Sequence, residues 1–336
     1  MRRCFQLARL GAQKSAPNPM VGAVLVHQDR IIGEGYHHQD GGAHAEVEAV
    51  RSVAPENREL IAQSTLYVSL EPCCIVGRTP ACTDLIQREN IPRVVVSVVD
   101  KTDGVSGQGI QILQNAGVEV VTGVLADEGR KVAAIRNTFA GQGRPYIVLK
   151  YAQSQDGFIG VSGRQVWLTN PVSKRLVHRW RSEMSAILVG TNTARIDAPQ
   201  LTNRLYYGPS PLRIVLDRSL QLPKDAPYFS DEGLVLVLTE QEIASEQDHI
   251  SYLQVDFEKE WMSSLFAYLH QAKRSSLFVE GGAQTLQAFA DSGYWDEARI
   301  FTSPIRLGTG IRAPKWSFKE SFSQRIGDDF LTIAYP

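Results

Sequence analysis

The chain has 336 residues, 43% of them hydrophobic, which is enough material for two separate cores. The formal net charge is −1; residues 1–140 carry 14 basic and 15 acidic side chains, and residues 141–336 carry 21 of each. Neither half has the basic excess of a nucleic-acid groove, no apolar run is long enough to cross a bilayer, and no charged-then-apolar leader opens the chain. All four cysteines lie within residues 4–82, a clustering that points to a metal site in a reducing compartment rather than to disulfides. The expectation is a cytoplasmic protein with neither nucleic acid nor membrane as partner.

Residues 2–12 read as a helix that the run Pro17-Asn18-Pro19 breaks. Residues 21–26 and 31–36 alternate as paired strands across a turn at Gln28-Asp29-Arg30. A helix is expected over 44–53, with His44 in its first turn, and a buried strand over 65–70 that ends at Pro72-Cys73. Then follow a helix over 82–90 beginning at Cys82, a strand over 94–99, a helix over 107–116 and a strand over 118–121. The Gly- and Pro-rich stretch 141–145 reads as a linker. Beyond it, strands are expected at 146–150, 187–189, 213–216, 234–238, 277–279 and 298–301, with helices at 172–182, 259–272 and 283–291. Alternating strands and helices on both sides of the linker give two α/β domains.

His44, Glu46, Cys73 and Cys82 carry the chemistry of the first half. One imidazole and two thiolates fill three corners of a tetrahedral zinc site. The fourth corner is left for a water that the metal acidifies. Glu46, two residues from a ligand, is placed to move a proton from that water to a departing amine, as in zinc deaminases with an H-x-E…P-C pattern. The usual P-C-x-x-C spacing fails, because position 76 is Val76. Cys73 and Cys82 are therefore taken as the ligands. Cys74 is expected to be a packed thiol, and Cys4 a core residue of the first helix.

In the second half, Leu277–Val279 runs into Glu280-Gly281-Gly282 and then a helix. Such a turn lets a phosphate approach free N–H donors at a helix N-terminus. Arg181 and Arg204 are candidates for bidentate grip of a phosphate. No nucleophile–base pair stands out, which suits chemistry carried by a nicotinamide.

Taken together these segments resemble, over essentially the full length, the bifunctional deaminase–reductase family of riboflavin biosynthesis. Its first pattern is met by Pro17–Val24, Gly35 and His37, His44–Glu46, Glu71–Cys73 and Gly77–Cys82. Its second is met by Lys150–Gly157, Trp167-Leu168-Thr169, Asp197–Arg204 and Glu280–Gly282. The resemblance implies a cytidine-deaminase-like three-layer domain over 1–143 and a dihydrofolate-reductase-like domain over 144–336. It implies zinc-dependent deamination of 2,5-diamino-6-ribosylamino-4(3H)-pyrimidinone 5′-phosphate, then NADPH-dependent reduction of the ribosyl group to ribityl. It also implies a homodimer built through the second domain. By the same matching, Ala152, Trp167, Thr193, Asp197 and the segment Gly282, Ala283, Gln284, Thr285, Leu286, Gln287 and Ala288 contact NADPH. Lys150, Arg181, Leu201, Arg204 and Glu280 contact the reductase substrate, and Asn18 and His37 the deaminase substrate.

Three departures stand beside the matches. The loop P-C-S-H-H/Y-G of the family is Pro72-Cys73-Cys74-Ile75-Val76-Gly77 here, so a polar histidine has become Ile75. Lys101-Thr102-Asp103-Gly104 lacks the proline that tends to follow the aspartate, and Gln165 replaces a serine. These leave a second reading: a working reductase joined to a deaminase that is impaired or altered in substrate.

Overall fold

The computed structural model describes every residue except 103, 230–232 and 244–248; Asp103, one of the departures above, lies outside the described residues. The chain separates into two compact units, Met1–Arg144 and Pro145–Pro336.

In the first unit the order is α1 (Arg2–Leu10), β1 (Gly22–His27), β2 (Arg30–Tyr36), α2 (Ala45–Arg51), a 3-10 turn (Pro55–Gln63) and β3 (Thr65–Leu70). There follow α3 (Cys82–Arg88), β4 (Arg93–Val98), α4 (Gln108–Asn115), β5 (Glu119–Val121) and α5 (Ala126–Gln142). The β1–β2 hairpin turns at Gln28 and Asp29, both with positive φ, as a two-residue connection requires. The sheet order is β2-β1-β3-β4-β5, with β1 antiparallel to its neighbours and β3, β4 and β5 parallel.

Side chains alternate across this sheet. Ala23, Leu25, Leu66, Val68, Val94 and Val96 face Ala45, Ala49, Ile86 and Leu113 of α2, α3 and α4. On the opposite face, Val24 meets Cys4 and Leu7 of α1, and Leu70 and Val98 meet Ala133 of α5. Three layers result, and each buried Leu or Val contributes roughly 1.5–3 kcal/mol. Cys4 is fully buried, as expected.

Helix α5 shortens the expected linker, within which the boundary between the units falls, at Arg144 and Pro145. Gly141 and Gln142 are its last turn, and only Gly143, with φ +64°, breaks from it before the next strand. Its inward face is made of Gly129, Val132, Ala133, Thr138 and Phe139, too small and too polar to show a clear apolar period.

The second unit comprises β6 (Tyr146–Gln153), β7 (Phe158–Gly160), α6 (Pro171–Glu183), β8 (Ala186–Val189), α7 (Thr191–Asp197) and β9 (Leu212–Leu216). It continues with β10 (Val235–Thr239), β11 (Ile250–Gln254), α8 (Trp261–Gln271), β12 (Ser276–Val279), α9 (Ala283–Ser292) and β13 (Glu297–Thr302). Its last strands are β14 (Ile311–Arg312), β15 (Glu320–Ile326) and β16 (Asp329–Tyr335). A nine-stranded sheet runs β11-β10-β9-β8-β12-β6-β13-β16-β15; its first seven strands are parallel, and β16 and β15 close it antiparallel. β8, β12 and β6 are almost wholly buried, as strands covered on both faces must be. Asn170 caps α6 by accepting from Val172 N and Ser173 N, each at 2.9 Å, a cap contributing ~1 kcal/mol. The sequence reading lacked β7, β11, α7 and the β14–β16 strands.

Candidate zinc and nucleotide sites

In the first unit, three segments converge beyond the end of β3. His44 is the N-cap of α2, which places Glu46 in that helix's first turn. The chain leaving β3 delivers Cys73, and Cys82 opens α3. The ligand atoms of His44, Cys73 and Cys82 all lie within 4.8 Å of one another. His44 Nδ1 is 3.3 Å from Cys82 Sγ and 3.4 Å from Cys73 Sγ. Tetrahedral zinc with ordinary Zn–S and Zn–N bonds puts S and N about 3.5 Å apart, so the donor set fits that ion in both identity and spacing.

The electrostatics point the same way. The thiol of Cys82 and its neighbours hold Cys73 well below the ordinary thiol range, with His44 adding to the effect, while Cys82 is pushed up by the same pairing and by burial. The Cys82 backbone N–H donates to Cys73 Sγ at 3.3 Å. The contact with Cys73 in turn lifts the His44 imidazole, against its desolvation. His44 Nε2 lies 3.3 Å from Thr79 Oγ1, an orienting contact of the kind metal-bound histidines use; the sequence reading had not singled out Thr79. Glu46 is 3% exposed, and burial pushes its carboxyl up.

Cys74 stands apart: its thiol donates to Gly104 O at 3.6 Å. Cys82→Ser is therefore expected to lose most bound zinc and Cys74→Ser to retain it. Metal analysis of the purified variants checks this, and zinc lost from Cys74→Ser alone would reverse the ligand assignment.

A chamber of about 130 Å³ sits against these groups, lined among others by Asn18, His37, Glu46, Asp100 and Arg136. Asn18 Nδ2 is 3.2 Å from His37 Nε2, and His37 Nδ1 is 2.9 Å from Ala43 O. Nε2 accepts and Nδ1–H donates, so His37 is a neutral ring, in keeping with the lowering that burial imposes on it. Glu71 accepts from Asp100 N at 3.2 Å, Gly107 N at 2.9 Å and Ile110 N at 3.3 Å, tying the chain after β4 to the Pro72–Cys73 segment. Asp100 and Arg136 were missed: one sits in a segment read only as a departure, the other on the unrecognised α5. Ile75 and Val76 do not line the chamber; they are 48% and 72% exposed.

The second unit has a cleft of about 700 Å³ at the C-terminal ends of β6, β8 and β12, where open α/β sheets place their ligands. Its wall includes Ala152, Trp167, Thr193, Asp197 and Gly282 to Leu286. Gly282 has φ +78° and is the N-cap of α9. A Cβ on Gly281 would come within 3.0 Å of Thr193 Cγ2, so the glycine pair keeps the turn flat beside the free N–H groups of α9. That cradle suits a dinucleotide phosphate. Gln287 and Ala288 lie outside the wall: Gln287 binds Lys315 N at 2.9 Å and Lys315 O at 3.0 Å, and Ala288 packs on the core. Asn192, Leu216, Arg218 and Phe257 line the cleft without having been foreseen.

A second cavity of about 360 Å³ shares Lys150, Trp167, Asp197 and Glu280 with this wall and adds Gln165, His178, Arg181 and Arg204. Arg181 donates to Glu280 through Nε at 2.7 Å and Nη2 at 2.8 Å, and through Nη1 to Thr202 O at 3.0 Å. Its fork is thus spent within the protein, which corrects the expectation that it grips a phosphate bidentately. Arg204, exposed at the cavity edge, keeps its guanidinium available. Leu201 is 1% exposed and absent from the wall, so its side chain does not face this space. Lys150 Nζ is 3.9 Å from Glu280 Oε2. Burial pushes Glu280 up, but Arg181 and Lys150 outweigh it and leave the carboxyl lowered. Burial lowers Lys150 in turn. His178 Nδ1 accepts from Arg204 N at 3.1 Å; burial, with Arg181 and Arg204 nearby, pushes it down to about 4, so it is neutral.

Known proteins match both units. Residues 1–98 fit the cytidine and deoxycytidylate deaminase zinc-binding region, and residues 145–328 the RibD C-terminal domain. The riboflavin biosynthesis protein RibD of Aquifex aeolicus is 38% identical over 316 residues, covering 93% of this chain and 88% of its own. That of Synechocystis is 36% identical and covers 100% and 95%. A crystal structure of a diaminohydroxyphosphoribosylaminopyrimidine deaminase/5-amino-6-(5-phosphoribosylamino)uracil reductase from Thermotoga maritima superposes with a TM-score of 0.91 at 35% identity, covering 100% of this chain and 97% of that one. A His-Cys-Cys zinc site, a nucleotide cleft in the reductase unit and these full-length matches place the chain in the RibD family of riboflavin biosynthesis, with its deaminase and its reductase domain both present.

Proposed function

We propose that the chain carries out two consecutive steps of riboflavin biosynthesis, one in each unit. In Met1–Arg144, the 2-amino group of 2,5-diamino-6-ribosylamino-4(3H)-pyrimidinone 5′-phosphate is replaced by oxygen and leaves as ammonia. In Pro145–Pro336, the ribosyl group is reduced to ribityl, giving 5-amino-6-ribitylamino-uracil 5′-phosphate. The observation that carries the first step is the buried Glu46 beside the clustered donors of His44, Cys73 and Cys82.

His44, Cys73 and Cys82 would hold zinc, and the cleft around Gly281, Gly282 and Thr193 would hold NADPH. When bound, zinc supplies the Lewis acidity that makes water nucleophilic near neutral pH, and NADPH the reducing equivalent. Glu46 takes a proton from the attacking water and hands it to the departing amine. Its raised carboxyl shortens the gap between those two proton affinities. Asn18 and the neutral His37 hold the ring against them. In the second unit Lys150, Glu280 and Arg181 form a fixed charged floor, Arg181 acting by locking Glu280, and Arg204 faces the substrate phosphate. Ala152, Trp167, Thr193 and Asp197, with Gly282, Ala283, Gln284, Thr285 and Leu286, would hold NADPH in that cleft.

Asp197→Asn is expected to depress NADPH oxidation at least tenfold and to leave ammonia release unchanged. Parallel assays of the two half-reactions check this; equal losses in both would mean a global defect. A homodimer through the reductase unit belongs to the same reading. It is supported by the edge strand β15, where Phe322 is 49% exposed, and by Phe330 on β16, 54% exposed; exposed apolar edges are where sheets associate. Sedimentation of the full chain tests it.

The second reading, a reductase whose deaminase unit is impaired or altered in substrate, draws on the apolar Ile75 and Val76, which lie exposed and outside the chamber. Ammonia release from the diaminopyrimidine separates the two.

A further inference from the structure

Arg136 is a charged group in the wall of the deaminase chamber to which the reaction above gives no role. It stands on α5, one turn beyond Val132 and Ala133. Those residues pack on Phe5 and Ala8 and on Leu70 and Val98. Gly129 lets the helix settle on β4, since a Cβ there would collide with Ser97 Oγ. That approach carries the guanidinium into the chamber wall with Asn18, His37, Glu46 and Asp100.

Among the described residues the guanidinium is held on one side. Nη2 donates to Thr102 Oγ1 at 2.7 Å. Thr102 in turn donates to Asp100 Oδ1, from N at 2.8 Å and from Oγ1 at 2.5 Å. These bonds fix the plane of the fork. Nε is buried and has no hydrogen-bond partner among the described residues. The pairing of this cation within the protein is therefore incomplete, which is unfavourable, while the residue itself lines the chamber.

We propose that Arg136 is the residue that recognises the pyrimidine ring in the deaminase site, donating to its carbonyl oxygen. This rests on the reading that a pyrimidine is deaminated here, and adds which side chain selects it. Size argues for the ring over the phosphate. The chamber of about 130 Å³ accommodates a substituted six-membered ring, and the ribose phosphate must extend beyond it. Asp100, in the same wall, accepts from the ring's amino groups while Arg136 donates to its oxygen, so the pair reads an amino-pyrimidinone by opposite polarities.

The test is equilibrium binding to the zinc-loaded full chain in a Glu46→Gln background, where turnover does not interfere. The ligands are the diaminopyrimidine ribosyl-phosphate and its dephosphorylated riboside. Adding Arg136→Gln is expected to weaken both by the same factor, about 10–100-fold, and Arg136→Lys to recover part of the loss. Zinc content and NADPH-dependent reduction of supplied uracil substrate should stay at the parent level. Loss confined to the phosphorylated ligand would move the contact to the phosphate and overturn the proposal. So would unchanged binding of both ligands, or loss of zinc from both variants, which would make Arg136 structural. Failure of the unmutated chain to release ammonia from the same compound would instead sink the deaminase reading, and the binding result would still decide the role of Arg136.

Discussion

Glu46→Gln is expected to keep its zinc, to lose deamination by about 10²–10⁴-fold and to reduce the uracil substrate at the unmutated rate. The three parts of that result have separate causes. His44, Cys73 and Cys82 supply the clustered donors, so the metal does not depend on the Glu46 carboxylate. Glutamine keeps the size and the polarity of the side chain but has no proton to exchange. The reductase cleft is walled entirely by residues of the second unit, so its chemistry is insulated. Zinc by metal analysis, ammonia release and NADPH oxidation on one preparation give all three readings. Deamination surviving within tenfold would remove Glu46 from proton transfer.

The largest stability effect is expected at Glu280. Its side chain is 7% exposed and that of Arg181 11%, and Lys150 leans on the same carboxylate. Glu280→Gln removes the negative charge that, among the described residues, compensates two buried cations. Breaking such a pair costs about 3–5 kcal/mol, which for a unit of this size lowers its melting temperature by roughly 6–20 °C. Calorimetry should show the shift in the reductase transition, with zinc content and ammonia release at the original level. The pH dependence has a definite sign. Because Glu280 is lowered in the folded state, the stability it contributes is complete above the ordinary glutamate range. It is lost as the pH falls through the lower, folded value. The variant should lack that part of the acid sensitivity. A Glu280→Gln chain melting at the parent temperature would mean that the cluster is solvated in solution.

Most of what was legible in the sequence was local. Strands such as Val94–Val96 and Leu277–Val279 are continuous apolar runs, and full burial on both faces demands them. The zinc donors were legible because thiolates and imidazole have few other reasons to cluster. The misses share one physical origin, side chains whose placement is decided by partners distant in sequence. α5 presents small residues to the sheet, so its period is faint and Arg136 went unnoticed. β15 is exposed along nearly all its length and has no apolar alternation to reveal it. Arg181 looked like a phosphate ligand until Glu280, 99 positions away, was seen to occupy its fork. Gln287 looked like part of a cofactor loop, yet it fastens Lys315.

The most direct test of the account is ammonia release from the diaminopyrimidine ribosyl-phosphate by the zinc-loaded chain with NADPH omitted. The account predicts stoichiometric release, abolished in Glu46→Gln, with the deaminated uracil accumulating until NADPH is added. No release, together with NADPH oxidation when the uracil is supplied, would contradict it and leave a reductase joined to a zinc unit of another specificity.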